Sequence, residues 1–234
     1  MQQNTYTEEN SEYLKKNATW HTQDSEWKAK QIVKLVKNNK LEIKNVVEIG
    51  CGAGEILVQL QKMLNDSNIN YEGYDISPDA YNLSKSKTNK TLHFFKEDFL
   101  MKEGIFFDLA LIIDVFEHVD DYISFIKKCS DKATFKIYHI PLDLHISALL
   151  RNQLIEARKS VGHIHYFTKE TALATLSDSG QEIVDYFYTP GALELPGNSL
   201  KTRVVNIFRK TLYALLPDFS VRLLGGYSLI VLTK

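Results

Sequence analysis

Glu48, Asp75, Asp98 and Asp114 each stand at, or just beyond, the end of a short apolar run, and Gly50, Gly52 and Gly54 follow the first acid at alternate positions. Glycines so spaced let a backbone turn tightly and approach a ligand that a side chain would block. Acids gathered at one rim suit a ligand that carries positive charge and no phosphate. His118, His163 and His165 add groups that can accept or position a proton near neutral pH. Together these residues describe a site for a cationic ligand with acid–base groups beside it.

Two familiar glycine patterns do not fit. A dinucleotide fingerprint, G-x-G-x-x-G, needs a third glycine at 55 or 57, where the chain has Glu55 and Leu57. A Walker phosphate loop needs Gly-Lys-Ser/Thr, which does not follow. What remains is Glu48-Ile49-Gly50-Cys51-Gly52-Ala53-Gly54, or E-x-G-x-G-x-G. This closely resembles motif I of the class I S-adenosylmethionine-dependent methyltransferases. Two further stretches support the likeness. Asp114-Val115-Phe116-Glu117-His118-Val119 resembles the D-V-x-E-H-V motif after the family's fourth strand. Gly162-His163-Ile164-His165-Tyr166-Phe167-Thr168 resembles a G-H-x-H-x-F-[ST] run of its small-molecule enzymes. The resemblance spans about 41–189 and the last strand, and the regions beyond it look like a bacterial-type subfamily.

The resemblance implies S-adenosylmethionine as cofactor. Glu48, Gly50, Cys51, Gly52 and Gly54 would form its first contact. Asp75, with Ile76 beside it, stands where an acid can accept hydrogen bonds from both ribose hydroxyls. By the family pattern Asp98 would meet the adenine amino group, with Phe99 giving a backbone or ring contact. Asp114 and Val115 would close the site. Cys51 needs only to be small, and is expected to pack rather than react.

Methyl transfer is an in-line displacement at a sulfonium carbon, so the protein aligns donor and acceptor and can take a proton from the acceptor. His163, His165 and His118 are the candidate catalytic residues. If extended, the chain would put His163 and His165 on one face. A related acidic-x-x-Glu-His stretch binds a divalent metal in quinone-pathway O-methyltransferases, and Asp114, Glu117 and His118 match that spacing. No metal is expected here on so short a match.

These residues need a scaffold. Strands are expected at 45–50, 71–76, 92–96, 107–114, 134–140, 182–188 and 227–233, with helices at 55–65, 78–87, 121–130 and 168–179. Such alternation argues for an α/β three-layer sandwich with a mostly parallel sheet. The resemblance implies seven strands in the order 3-2-1-4-5-7-6, the last antiparallel. Asp24 can cap a helix reaching about Asn39, and Trp20, His21 and Trp27 suggest an N-terminal cap over the site. Residues 1–40 are therefore taken as tail and cap, and 41–234 as the methyltransferase domain with a helical insertion at about 190–226. Within the insertion, Ser199–Leu216 should form a helix. It would set Val204, Val205, Ile207, Phe208, Leu212, Leu215 and Leu216 on one face, beside Lys201, Arg203, Arg209 and Lys210.

The 234 residues, 44% hydrophobic with a net charge of -1, suit one globular domain and not a general nucleic-acid footprint. Two cysteines far apart argue against a disulfide framework and for a reducing cytoplasm. No apolar run is long enough to span a membrane. A small-molecule acceptor is expected, methylated on oxygen: a sugar, a lipid-linked glycan precursor, a quinone or a specialised metabolite. The basic helix can meet an anionic membrane surface, the domain itself or a second copy in a homodimer. The alternative reading is a scaffold or regulatory protein that binds the cofactor without turnover.

Overall fold

The computed structural model describes residues 22–195 and 200–234, with the side chains of 200–204 outside that description. Trp20 and His21 of the expected cap, and Lys201, Arg203 and Val204 of the expected basic helix, therefore contribute no side-chain detail.

Seven strands form one sheet in the order β3-β2-β1-β4-β5-β7-β6. They are β1 (Asn45–Ile49), β2 (Asn70–Asp75), β3 (Leu92–Lys96), β4 (Phe107–Ile113), β5 (Ala133–Pro141), β6 (Ile183–Thr189) and β7 (Ser228–Thr233). β1 to β5 pair in parallel, and β7 runs antiparallel to both β5 and β6. Expected strand boundaries agree with these to within a residue.

β4 shows why the sheet carries helices on both faces. Leu109, Leu111 and Ile113 point into one apolar layer, with Ile32 and Leu35 of α1 (Ser25–Asn38) and Leu57 and Leu60 of α2 (Glu55–Leu64). Ala110 and Ile112 point into the other, with Ile126 of α4 (Tyr122–Ser130) and Ala172 and Leu176 of α7 (Lys169–Asp178). A strand apolar without a break from Leu109 to Ile113 must be covered twice. Of the remaining helices, α3 (Pro78–Ser84) crosses from β2 to β3, its cap Ser77 accepting a bond from Ala80.

The segment after β5 is broken into two short helices. It forms α5 (Ile146–Leu150) and α6 (Gln153–Ser160), because Asn152 takes a left-handed conformation (φ 55°) that ends one helix and starts the next. The insertion is also more helical than its turn-rich sequence suggests. It holds α8 (Gly191–Glu194), α9 (Leu200–Leu215) and α10 (Pro217–Leu224). Proline at the first position of α10 explains the break after α9.

Candidate active site

The strand ends build the site. β1 stops at Gly50, whose backbone (φ 74°) turns so that the Gly50 and Cys51 amides both reach the Tyr74 carbonyl, at 2.8 and 3.0 Å. A Cβ on Gly50 would lie 2.8 Å from Val115, and one on Gly54 (φ 74°) would lie 2.4 Å from the Phe94 ring. The glycines are thus demanded by both conformation and space. Asp75 locks the loop, with Oδ2 accepting from Gly52 N and Oδ1 from Ser77 N, both at 2.8 Å. Lys87 braces the far side, reaching the Ala53 carbonyl and Glu55 Oε2 at 2.8 Å each. Cys51 is buried beside Gly73, and burial pushes its thiol well above the usual range.

A cleft of about 250 Å³ opens beside this loop. Its walls include Gly50, Gly52 and Glu48 from the β1 end, Asp114 from the β4 end, Lys28 from α1, and His118 and His163 from the loops beyond. Glu48 is 1% exposed and its Oε2 has no hydrogen-bond partner among the described residues. Burial, opposed by Lys28 and assisted by Asp75, holds its carboxyl well above the usual range.

The four acids do not present four open carboxylates. Asp75 is committed to backbone amides. Asp98 is exposed outside the cleft and caps a 3-10 turn through Leu100 N. Phe99 is 1% exposed and packs between Tyr74 and Phe107, leaving only its backbone for a ligand. Asp114 turns into a left-handed conformation (φ 53°) and meets Lys28 Nζ at 2.8 Å and His139 Nδ1 at 2.6 Å. Burial alone would raise its pKa, but His139 and Lys28 outweigh burial and hold it far below the usual range. Lys28 also pairs with Asp24 at 3.0 Å. Burial would lower its pKa, but Asp114 and Asp24 drive it above the ordinary lysine value. Asp24 thus stands at the start of α1 without the capping bond expected of it, its carboxylate drawn to Lys28 one turn on. His139 passes the chain of contacts to Thr189 Oγ1 at 3.0 Å. His139, at the end of β5, was expected near the pocket by topology, whereas Lys28 was the residue that sequence reasoning missed. The Asp24–Lys28 spacing was readable, but nothing local ties Lys28 to a strand 86 residues away.

The histidines also separate. Ile164 N and His165 N both donate to the Glu117 carbonyl, at 3.0 and 3.2 Å, which pins the 162–168 segment against the Phe116–His118 turn. His118 and His163 come together there, ring centroids 4.9 Å apart. His163 Nδ1 lies 2.5 Å from Asp143 Oδ2, and His118 Nδ1 donates to the Gly162 carbonyl at 3.1 Å. His165 instead donates from Nε2 to the Val119 carbonyl at 3.0 Å and packs on Tyr122. The expected His163–His165 face does not form, because the segment is not a regular strand. Ile76 is exposed at the rim, and Val115 serves as the floor under Gly50.

Trp27 closes the cap side. Its indole donates to Glu194 Oε2 at 2.6 Å and meets the His139 ring edge-on, joining α1 to α8 of the insertion.

A sheet of this order, with a glycine loop at β1 and an unpartnered buried carboxyl facing the cleft, has the architecture of the class I S-adenosylmethionine-dependent methyltransferases, enzymes of Rossmann-like fold. The methyltransferase domain family matches residues 10–186, and the chain belongs to that family. Among solved structures, magnesium protoporphyrin IX methyltransferase from Synechocystis PCC 6803 with bound SAH is similar at a TM-score of 0.58 and 15% identity, covering 99% of this chain and 91% of that one. A putative sarcosine dimethylglycine methyltransferase from Galdieria sulphuraria gives 0.61 and 14%, covering 89% and 83%. A cyclopropane synthase from Mycobacterium tuberculosis gives 0.58 and 15%, covering 87% and 84%. No curated protein matches the sequence significantly.

Proposed function

We propose that this methyltransferase transfers the methyl group of S-adenosylmethionine to an oxygen of a small-molecule acceptor. The observation that carries the reading is the cleft itself, which is lined by Glu48 and the glycine loop together with His118 and His163. In this reading Gly50, Cys51, Gly52 and Gly54 give the cofactor its backbone contacts. Glu48 and Asp114 face its methionine portion, Asp75 and Ile76 its ribose, and Asp98 and the Phe99 backbone its adenine, with Val115 beneath. The Glu48 oxygen without a partner among the described residues suits an ammonium donor. His163, steadied by Asp143, and His118 hold and activate the acceptor oxygen. His165 fixes the loop that carries them.

The acceptor enters under a cap made by α1 and the insertion. Residues 1–40 act as tail and cap, 41–234 as the catalytic domain, and the protein works in the cytoplasm, where its two buried free cysteines stay reduced. Among the described residues no helix is long and apolar enough to cross a membrane. Ile207, Phe208, Leu215, Leu216 and Phe219 are nonetheless all more than half exposed along α9 and α10, with Lys210 exposed beside them. That surface favours contact with an anionic membrane, where a lipid-linked acceptor would be presented.

The test is an acceptor panel of phenolic, sugar and lipid-linked hydroxyl compounds, read by mass spectrometry for methylated product. Product carrying the methyl group on oxygen is expected. Methylation confined to amines or carbon would overturn the reading.

A further inference from the structure

We propose that Glu117, His118 and His163 form a site for a divalent first-row transition-metal ion at the acceptor end of the cleft. Each residue offers one ligand atom, and these atoms lie within 4.8 Å of one another. Ligands about 2.1 Å from a common ion stand roughly 3–3.5 Å apart, so small side-chain adjustments close the set.

Three independent features point to an ion. First, Glu117 is 1% exposed, and neither carboxyl oxygen has a hydrogen-bond partner among the described residues. A buried carboxyl with both oxygens unmet is costly, and a bound cation removes the cost. Second, both imidazoles are held through Nδ1, by the Asp143 carboxylate and by the Gly162 carbonyl. That arrangement puts the lone pair on Nε2 and fixes the ring, as outer partners of metal-bound histidines do. Third, the backbone bonds from Ile164 and His165 to the Glu117 carbonyl hold the two ligand-bearing loops together. Asp114 stands three residues before Glu117 but is outside the set, being held by Lys28 and His139.

Two imidazoles and one carboxylate suit zinc, iron, cobalt or manganese rather than magnesium or calcium. His118 and His163 line the cleft, so remaining coordination positions would face the acceptor. On this point the inference rests on the O-methylation reading. An acceptor hydroxyl bound to the ion loses its proton to water more readily, and its oxygen then bonds the methyl carbon as the carbon–sulfur bond breaks and neutral S-adenosylhomocysteine leaves. The histidines then act on the acceptor through the ion and not as free bases.

The experiment is calorimetric titration of the chelator-stripped full chain with Zn²⁺, Mn²⁺ and Co²⁺, with Mg²⁺ as comparison and no cofactor or acceptor present. One equivalent of a transition ion should bind with micromolar or tighter affinity, and Mg²⁺ far more weakly. Glu117→Gln and His163→Ala should each weaken binding by at least about 100-fold, and Asp143→Asn by about 10–100-fold. Retained affinity for S-adenosylhomocysteine shows that each variant is folded. Should a variant not fold, proton NMR of the wild type with substoichiometric Mn²⁺ decides, since His118 and His163 imidazole signals must broaden before that of the exposed His93. No saturable binding, undiminished binding in both ligand variants, or equal broadening of His93 would overturn the proposal. Because cofactor and acceptor are absent, failure here leaves the methyl-transfer reading intact, and failure of the acceptor panel leaves the ion site intact.

Discussion

The two ends of the cleft are built on opposite plans. At the glycine-loop end the backbone does the work: three glycines with positive φ, amides on the Tyr74 carbonyl, and Asp75 holding Gly52 and Ser77. At the histidine end the work is done by side chains from distant segments. Lys28 meets Asp114 and His139 reaches Thr189 between the two ends, His163 meets Asp143, and the Glu117 carboxyl has no hydrogen-bond partner among the described residues. The first end is satisfied by its own backbone except at Glu48 Oε2. The second leaves both oxygens of the buried Glu117 carboxyl unmet among the described residues. Stability is commonly given up where chemistry is done, so the contrast locates the chemistry.

Damage to the backbone end should have the largest effect. Gly54→Ala places a Cβ 2.4 Å from Phe94 at a φ of 74°. It should destabilise the fold by about 2–4 kcal/mol, measured by denaturant unfolding, and abolish detectable S-adenosylhomocysteine binding. A change below about 0.5 kcal/mol would show that the loop is not held as described.

Lys28→Met should follow, at about 3 kcal/mol, since it strips a partner from Asp114 in a largely buried pair. The pH dependence has a defined sign. Asp114 is depressed below its unfolded pKa of about 4, so its contribution is present above pH ~4 and lost as acid passes its folded value. Lys28 is raised above its unfolded value of about 10.4, so its contribution is present below that pH and lost at higher pH. The difference between wild type and Lys28→Met should therefore be flat from about pH 5 to 9. A difference that changes steeply within that window would contradict the pairing.

The carboxyls without partners should behave in the opposite way. Glu117 is raised by burial first and then by Asp114 and Asp143, and Glu48 by burial. A raised carboxyl disfavours folding once pH exceeds its unfolded value of about 4.3. Metal-free Glu117→Gln and Glu48→Gln should thus be more stable than wild type at pH 8, by about 1 kcal/mol, and the gain should shrink toward pH 4. Thermal melts across that range check it, and a loss of stability at pH 8 would mean that the protein itself satisfies these groups.

The smallest expected effect is at the cap. Glu194→Gln weakens the bond from Trp27 across the two capping segments. The pair is exposed, so stability should fall by less than about 1 kcal/mol. The acceptor KM should rise severalfold with kcat little changed, and an unchanged KM would remove the cap from acceptor binding.

The same contrast explains what could be read from the chain. The glycine loop is local: E-x-G-x-G-x-G is contiguous, and the strand boundaries around it follow from apolar runs bounded by turn residues. The sheet order followed from the family resemblance and agrees with the structure. The histidine end depends on which distant side chains meet. Spacing put His163 beside His165, whereas the loop's backbone bonds to Glu117 turn His163 toward His118 and His165 toward Tyr122. Four acids at strand ends were legible as a group. That Asp75 and Asp114 are already occupied, and that Glu48 is the unpartnered one, depends on Gly52, Lys28 and His139 standing where only the fold puts them.

The most direct measurement is calorimetric titration of S-adenosylhomocysteine into wild type, Asp75→Ala and His163→Ala, each paired with a methyl-transfer assay. If the cleft is divided as described, Asp75→Ala loses at least about 10-fold in affinity. His163→Ala should bind the ligand like wild type and lose methyl transfer by about 100-fold or more. Equal affinity losses in the two variants, or full activity in His163→Ala, would contradict the division of the cleft into a cofactor end and an acceptor end.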